Sequence, residues 1–215
     1  MQPPTPHLVY FADPMCSWCW GFAPVLDAIA ADHPDLPIRL VLGGLRPFTR
    51  TAMDAAARQS TRRHWEHVAA ASGQPFDFGF FDRTGFVYDT EPAARAVVAA
   101  RRLQPGRTFA LMRAIAHGFY AENRDVTEAA TLADLAEATG FDRDAFLAAF
   151  EDEATKAETL QDFAIAQQSG VTGFPTLLAG PQHDGSFLPV TVGYQDPQAV
   201  LARIGMWLEH QLADG

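Results

Sequence analysis

The chain has 215 residues, 48% hydrophobic and 20% charged, enough apolar material to bury a real core in one large domain or two small ones. Its 16 Lys and Arg stand against 26 Asp and Glu, a formal charge of -10, with no basic cluster longer than Arg62-Arg63 or Arg101-Arg102, so nucleic acid is disfavoured as a partner. No apolar run approaches the ~18 residues of a membrane helix, and Met1-Gln2-Pro3-Pro4-Thr5-Pro6-His7 has neither the basic nor the apolar region of a secretory leader, so a cytoplasmic protein is expected.

In chain order, Leu8-Val9-Tyr10-Phe11 reads as a buried strand ended by Asp13-Pro14. A helix to about Asp32 follows, striped by Phe22, Val25, Leu26 and Ile29, with Pro24 expected to kink it. Ile38 to Leu42 is a second buried strand, closed by a turn at Gly43-Gly44. From about Thr51 to Gln168 helical periodicity dominates. Glu91-Pro92 opens one helix, and Phe109, Met112, Ile115 and Phe119 stripe another. Thr127 is the expected cap of a third that ends at Gly140, and Asp142 that of a fourth carrying Phe146 and Phe150. A fifth runs from about Asp152, with Leu160 and Phe163 inward, to Gly170. Strand signals return at Phe174 to Leu178 and at Phe187 to Val192. A last helix is capped by Asp196, opened by Pro197 and striped by Val200, Ile204, Trp207 and Leu208. The aromatic run Phe76, Phe78, Phe80, Phe81 and Phe86 is expected to pack the helical block against the rest rather than to wall a groove.

The chemistry sits at Cys16-Ser17-Trp18-Cys19, between a strand and a helix. A helix start offers unsatisfied N–H groups and a partial positive charge, both of which favour a thiolate at Cys16. Three positions on, Cys19 can attack a mixed disulfide at Cys16 and release the substrate. Cys16 is therefore expected to be the exposed nucleophile and Cys19 the more buried resolving thiol, with Ser17 able to donate a hydrogen bond to sulfur. Trp18 is expected to be exposed at the tip and Trp20 to lie in the core. A zinc site is the main competing reading, but a structural zinc takes four ligands, and only His64-x-x-His67, on a polar helix, could complete the set. No metal is expected.

The stretch from Cys16 through Pro24 to Ala30 resembles the active-site helix of thioredoxin, kinking proline included. Gly170-Val171-Thr172-Gly173-Phe174-Pro175-Thr176-Leu177-Leu178 resembles the thioredoxin cis-proline segment, and Val192-Gly193 the strand end before its last helix. With a central helical block, the chain resembles the DsbA family of the thioredoxin superfamily, and its cytoplasmic members in particular. The resemblance implies an α/β fold: a thioredoxin-like mixed sheet formed by residues 1–50 and 165–215, with an all-helical insertion over 51–164. It implies a cis Phe174-Pro175 bond facing the two cysteines, with Gly173, Phe174 and Trp18 offering backbone and apolar surface to an extended substrate. It implies an enzyme exchanging disulfides in proteins or peptides, as an oxidoreductase or isomerase, with the dithiol itself as redox group, no other cofactor, and glutathione as a possible co-substrate.

The sequence departs from the family in two places. Where many members keep an acid six positions before the first cysteine, to take the proton of the second, this chain has Tyr10. Tyr10, a water, Asp13 or Glu91 remain open for that role. Ser17-Trp18 lacks the histidine of strongly oxidising members, which implies an intermediate potential. The alternative is a glutathione-dependent isomerase or transferase of the kappa-class and 2-hydroxychromene-2-carboxylate isomerase type. Those enzymes share the helical insertion but usually carry serine in place of the cysteine pair and have no use for Cys19.

Overall fold

The computed structural model describes residues 5–182 and 184–213; residues 1–4 of the N-terminal stretch read above lie outside the described residues. Four strands form one mixed sheet in the order β2-β1-β3-β4: β1 (His7–Ala12), β2 (Ile38–Leu42), β3 (Thr176–Gly180) and β4 (Leu188–Val192). β1 runs parallel to β2, with Tyr10 opposite Leu40, and antiparallel to β3, with Tyr10 opposite Leu177. β4 pairs antiparallel with β3 across an irregularity between Leu177 and Leu178.

Alternation along β1 sorts its side chains to two faces. Leu8, Tyr10 and Ala12 enter the main core with Val25, Ile29, Val200 and Ile204, which belong to α2 (Ala23–Asp32) and α9 (Pro197–Ala213). Val9 and Phe11 face the other way and meet Val41, Ile165 and Ala166, the last two on α8 (Glu153–Gln168). The regular elements between β2 and β3 are all helical: α3 (Ala55–Ser72), α4 (Glu91–Leu103), α5 (Thr108–Tyr120), α6 (Ala129–Ala138), α7 (Arg143–Glu151) and α8, with short 3-10 turns at Phe78–Asp82 and Pro105–Arg107. The fold is thus the expected α/β sheet with a large helical insertion.

Local chemistry explains most boundaries. Asp142 accepts the Ala145 N–H (2.8 Å) at the start of α7, and Asp196 the Gln198 N–H (2.9 Å) at the start of α9. The proline break falls at Phe22, which ends α1 (Ser17–Gly21) and starts α2. Pro24 brings no N–H to the Trp20 carbonyl four residues earlier, and Gln74 Nε2 donates to that carbonyl instead (3.1 Å). Two expectations fail. Thr127 does not cap α6, which begins at Ala129; its hydroxyl instead bonds Asp125 (2.6 Å), a nearer acceptor. Leu160 is 50% exposed, because α8 turns Thr155, Thr159 and Phe163 inward.

The aromatic run packs inside the insertion. Trp65 of α3 stacks on Phe80 (4.8 Å between centroids) and meets Phe81 and Tyr120 edge-on (4.9 Å each). A polar tie fastens the insertion to the sheet: Asp162 of α8 accepts the Leu42 N–H (3.0 Å) and Arg101 Nη1 (2.9 Å), and the same Arg101 nitrogen donates to the Leu40 carbonyl (3.2 Å).

Candidate functional site

β1 delivers the chain into the Asp13-Pro14 turn, and that turn is clamped. The Asp13 carboxylate accepts the Met15 N–H (2.8 Å) and the Leu45 N–H (2.7 Å), while its carbonyl accepts the Cys16 N–H (3.0 Å). Tyr88 of the insertion donates its hydroxyl to the Met15 carbonyl (2.8 Å). Held this way, Cys16 takes the N-cap position of α1 in extended conformation, with no side-chain cap of its own. Cys19 lies one turn further on, and both thiols are free.

Opposite Cys16 stands the segment before β3. The Phe174-Pro175 peptide is cis, and the Cys16 thiol points at the Phe174 carbonyl at 3.6 Å. The Pro175 carbonyl accepts the Gly193 N–H (2.7 Å), and Thr176 Oγ1 donates to the Gly173 carbonyl (2.9 Å), so the segment is anchored at both ends. The far end of the Phe174 ring lies against Gly43, where any Cβ would overlap it. Beyond the strand-ending turn, Gly43 thus admits the close approach of an aromatic ring.

Two expectations about exposure need correction. Cys16 is 6% exposed and Cys19 5%, so the pair does not divide into an exposed and a buried thiol. The Phe174 segment covers Cys16 from one side, and Tyr88 and Tyr120, whose hydroxyls are 3.2 Å apart, lie close to it from the insertion. Trp18 is half-buried: His64 (5.9 Å), His67 (5.5 Å) and Tyr194 (5.4 Å) pack against it. Trp20 is core, with its indole N–H on the Pro75 carbonyl (3.1 Å), and Ser17 is buried at the first position of α1. His64 and His67 thus flank a tryptophan. Among the described residues no three His, Cys, Asp or Glu side chains converge on a metal-sized site.

The candidates for proton acceptor separate by geometry. Glu91 is paired with Arg95 (3.0 Å), whose guanidinium stacks on Phe150 (3.9 Å), and so serves the helix start. Tyr10 is fully buried against Phe22, and its hydroxyl makes no hydrogen bond of good geometry; burial first, then the neighbouring thiols, push its pKa well up. Asp13 is also fully buried, and that burial pushes its carboxyl up to about 6 despite the two N–H groups it accepts. Burial, with Cys16 alongside, raises the Cys19 thiol well above its ordinary value. Tyr10, Asp13 and Cys19 line one cavity of about 440 Å³, whose apolar walls are Leu26, Phe109 and Met112. The Asp27–Arg113 ion pair stands on its rim. The tyrosines over Cys16 and this cavity were not foreseen, since residues far apart in the chain supply them; the aromatic run leading to Tyr88 was the only signal.

The sequence pattern of the DSBA-like thioredoxin domain matches residues 7–205. A candidate protein disulfide isomerase from Nitrosomonas europaea superposes with a TM-score of 0.89 at 35% identity, over 96% of this chain and 99% of that one. The cytosolic disulfide reductase DsbM from Pseudomonas aeruginosa gives 0.76 at 30% identity, over 97% and 100%. Its structure with GSH gives 0.75 at 29%, over 96% and 99%. The ClpXP adapter protein SpxH of Shouchella clausii is 22% identical over 171 residues, 78% of this chain. The chain spans about half (55%) of the length of that curated relative. Among the described residues no helix is long and apolar enough to cross a membrane.

Proposed function

The chain belongs to the DSBA-like thioredoxin domain family, and on that premise we propose that this oxidoreductase exchanges disulfides in proteins or peptides, with Cys16 as nucleophile and Cys19 as resolving thiol. The observation that carries the reading is the Cys16 sulfur at a helix N-cap, 3.6 Å from the Phe174 carbonyl beside Pro175.

The Cys16 thiolate attacks one sulfur of a substrate disulfide. That bond breaks, the departing sulfur keeps the electron pair, and water protonates it. Cys19 then loses its proton and attacks the Cys16 sulfur of the mixed disulfide, so the second substrate sulfur leaves as thiolate. Two electrons have passed from the protein dithiol to the substrate, and the reverse sequence oxidises a substrate dithiol. Asp13 takes the Cys19 proton, since its carboxyl shares the cavity wall with that thiol and its pKa of about 6 leaves it ionised at neutral pH. Tyr10 shields this proton path from the sheet side, and Ser17 supports the first turn of α1. Gly173, Phe174 and Trp18 offer the substrate backbone acceptors and apolar surface.

The redox group is the dithiol itself, with glutathione as a co-substrate; the GSH-bound form of the Pseudomonas aeruginosa reductase supports that assignment. That protein's cytosolic description also supports a cytoplasmic setting. Residues 1–50 and 165–215 form the thioredoxin-like unit and 51–164 the insertion, with α8 crossing the second boundary to cover the sheet. A glutathione-dependent isomerase or transferase would leave Cys19 idle. Thiol titration with an insulin-reduction assay separates the readings. We expect two titratable thiols in the reduced protein, none after one equivalent of disulfide, and turnover abolished by Cys16→Ser. Turnover that survives Cys16→Ser rejects the proposal.

A further inference from the structure

The molecule keeps most of its cations neutralised. Arg95 lies 3.0 Å from Glu91, Arg101 2.9 Å from Asp162 and Arg102 3.2 Å from Glu158. Arg46, His64 and His67 are exposed and, among the described residues, stand in no ion pair, a lack they share with Arg39, Arg50, Arg58, Arg63, Arg107 and Arg203. The first three gather in one place. His64 and His67, one helical turn apart on α3, both set their rings against Trp18, inside the Cys16–Cys19 motif. The Arg46 guanidinium lies 4.9 Å over the ring of Tyr88, whose hydroxyl holds the Met15 carbonyl next to Cys16.

The neighbouring acids bond backbone N–H groups or another cation, and those bound only to N–H groups keep their charge. Asp89, across from the Arg46 loop, accepts the Phe48 N–H (2.8 Å) and the Glu91 N–H (3.0 Å), and Asp196, beyond Tyr194, accepts the Gln198 N–H (2.9 Å). Glu66 on α3 is paired with Arg62 (3.3 Å), and Arg63 adds a further cation to that helix. A chain of net charge -10 nonetheless gathers three cationic or protonatable side chains without ion-pair partners beside its reactive motif. A rim of one sign next to a reacting atom raises the local concentration of oppositely charged substrate.

We propose that Arg46, His64 and His67 form an anion subsite beside Cys16 that selects small disulfides bearing carboxylates, glutathione disulfide among them, over neutral or cationic ones. The inference rests on the thiol–disulfide reading above and names the substrate class of that site. One half of the disulfide lies at Cys16 while its carboxylates face the three cations. The chemistry is the balanced exchange already described: the protein dithiol becomes a disulfide and the substrate leaves as two thiols. His64 is held below its usual pKa of 6.5 by burial first, then by His67 and Arg46, so its contribution grows as the pH falls toward 6.

The test uses full-length protein, reduced and freed of reductant, mixed in stopped flow with glutathione disulfide (anionic), bis(2-hydroxyethyl) disulfide (neutral) or cystamine (cationic). Tryptophan fluorescence follows the single oxidation. For each variant the ratio of the anionic to the neutral rate is compared with that of wild type. Arg46→Gln should lower the ratio about fivefold or more, Arg46→Lys should restore it, and 0.5 M salt should erase the difference. In His64→Gln/His67→Gln the rise of the ratio between pH 7.5 and pH 6 should vanish. A ratio unmoved by Arg46→Gln and by salt overturns the subsite, as does a wild-type preference for cystamine. If none of the three oxidises the wild-type protein, the thiol–disulfide reading itself falls, a result distinct from lost selectivity.

Discussion

Asp13 and Cys19 line the same cavity of about 440 Å³, so a buried carboxyl and a buried thiol meet in one apolar-walled space. If Asp13 accepts the Cys19 proton, as proposed, the second half of the reaction carries a pH dependence of its own.

The resolving step should weaken as acid protonates Asp13. Its carboxyl is raised from 3.8 to about 6, so the group is ionised and able to accept a proton above that pH and loses this ability below it. Release of a pre-formed Cys16 mixed disulfide, followed by mass spectrometry after acid quench, should therefore slow as the pH falls through about 6. In Asp13→Asn we expect the step near pH 6 to disappear and release at pH 7.5 to slow by about 100-fold. An unchanged profile in the variant would assign the proton to a water or to Tyr10.

Removal of one thiol at a time should stop the reaction at different points. Cys19→Ser should accumulate a stable adduct at Cys16 with a peptide disulfide, because the internal attack is gone. Cys16→Ser should form no adduct. Intact-mass measurement reads both, and labelling that favours position 19 would reverse the assignment.

Gly43 can be tested separately from the cysteines. A methyl group there overlaps the far end of the Phe174 ring, which must swing away and take the neighbouring carbonyl with it. Gly43→Ala should cost little global stability, since the obstacle is one movable ring, yet slow disulfide exchange by about tenfold or more through misplacement of the substrate edge. Urea melts and insulin reduction on the same preparation would check both halves. Unaltered exchange would mean that the ring's position is irrelevant to docking.

Asp162 is the fastener between insertion and sheet. Asp162→Ala strips the Leu42 N–H of its acceptor and leaves the Arg101 guanidinium, 24% exposed, facing only Glu158 and a carbonyl. Because Arg101 keeps Glu158, the cost is mainly the unsatisfied Leu42 N–H and one lost ion pair, about 1 to 3 kcal/mol, and equilibrium urea denaturation should show it. A loss below about 1 kcal/mol would mean that the apolar contacts of α8 hold the two parts together unaided.

The strands and most helices were legible because their signals are local: alternation in Leu8 to Phe11, caps at Asp142 and Asp196, a proline at the first position of α9. The reactive motif was legible for the same reason, since strand, two cysteines and helix follow one another. The burial of Cys16 was not. It comes from Tyr88, Tyr120 and Phe174, brought together only by tertiary packing. Asp13 was one of several open candidates, and its selection needed the cavity that α2 and α5 enclose between them. The misread cap at Thr127 shows the reverse case, a good local signal outcompeted by the Asp125 carboxylate two residues away.

The pairing order of the strands also sets a timetable for the growing chain. β1 is made first, yet its antiparallel partner β3 begins at Thr176, and the Phe174 carbonyl that faces Cys16 follows it by 158 residues. At about 5 to 20 residues per second, a ribosome takes on the order of ten to thirty seconds to cover that gap. Throughout it the cysteine that the finished molecule conceals has no lid, while α3 to α7 can already begin to assemble beside it. A nascent chain that captures a stray disulfide at Cys16 in that interval would carry the adduct into the closing of its own sheet.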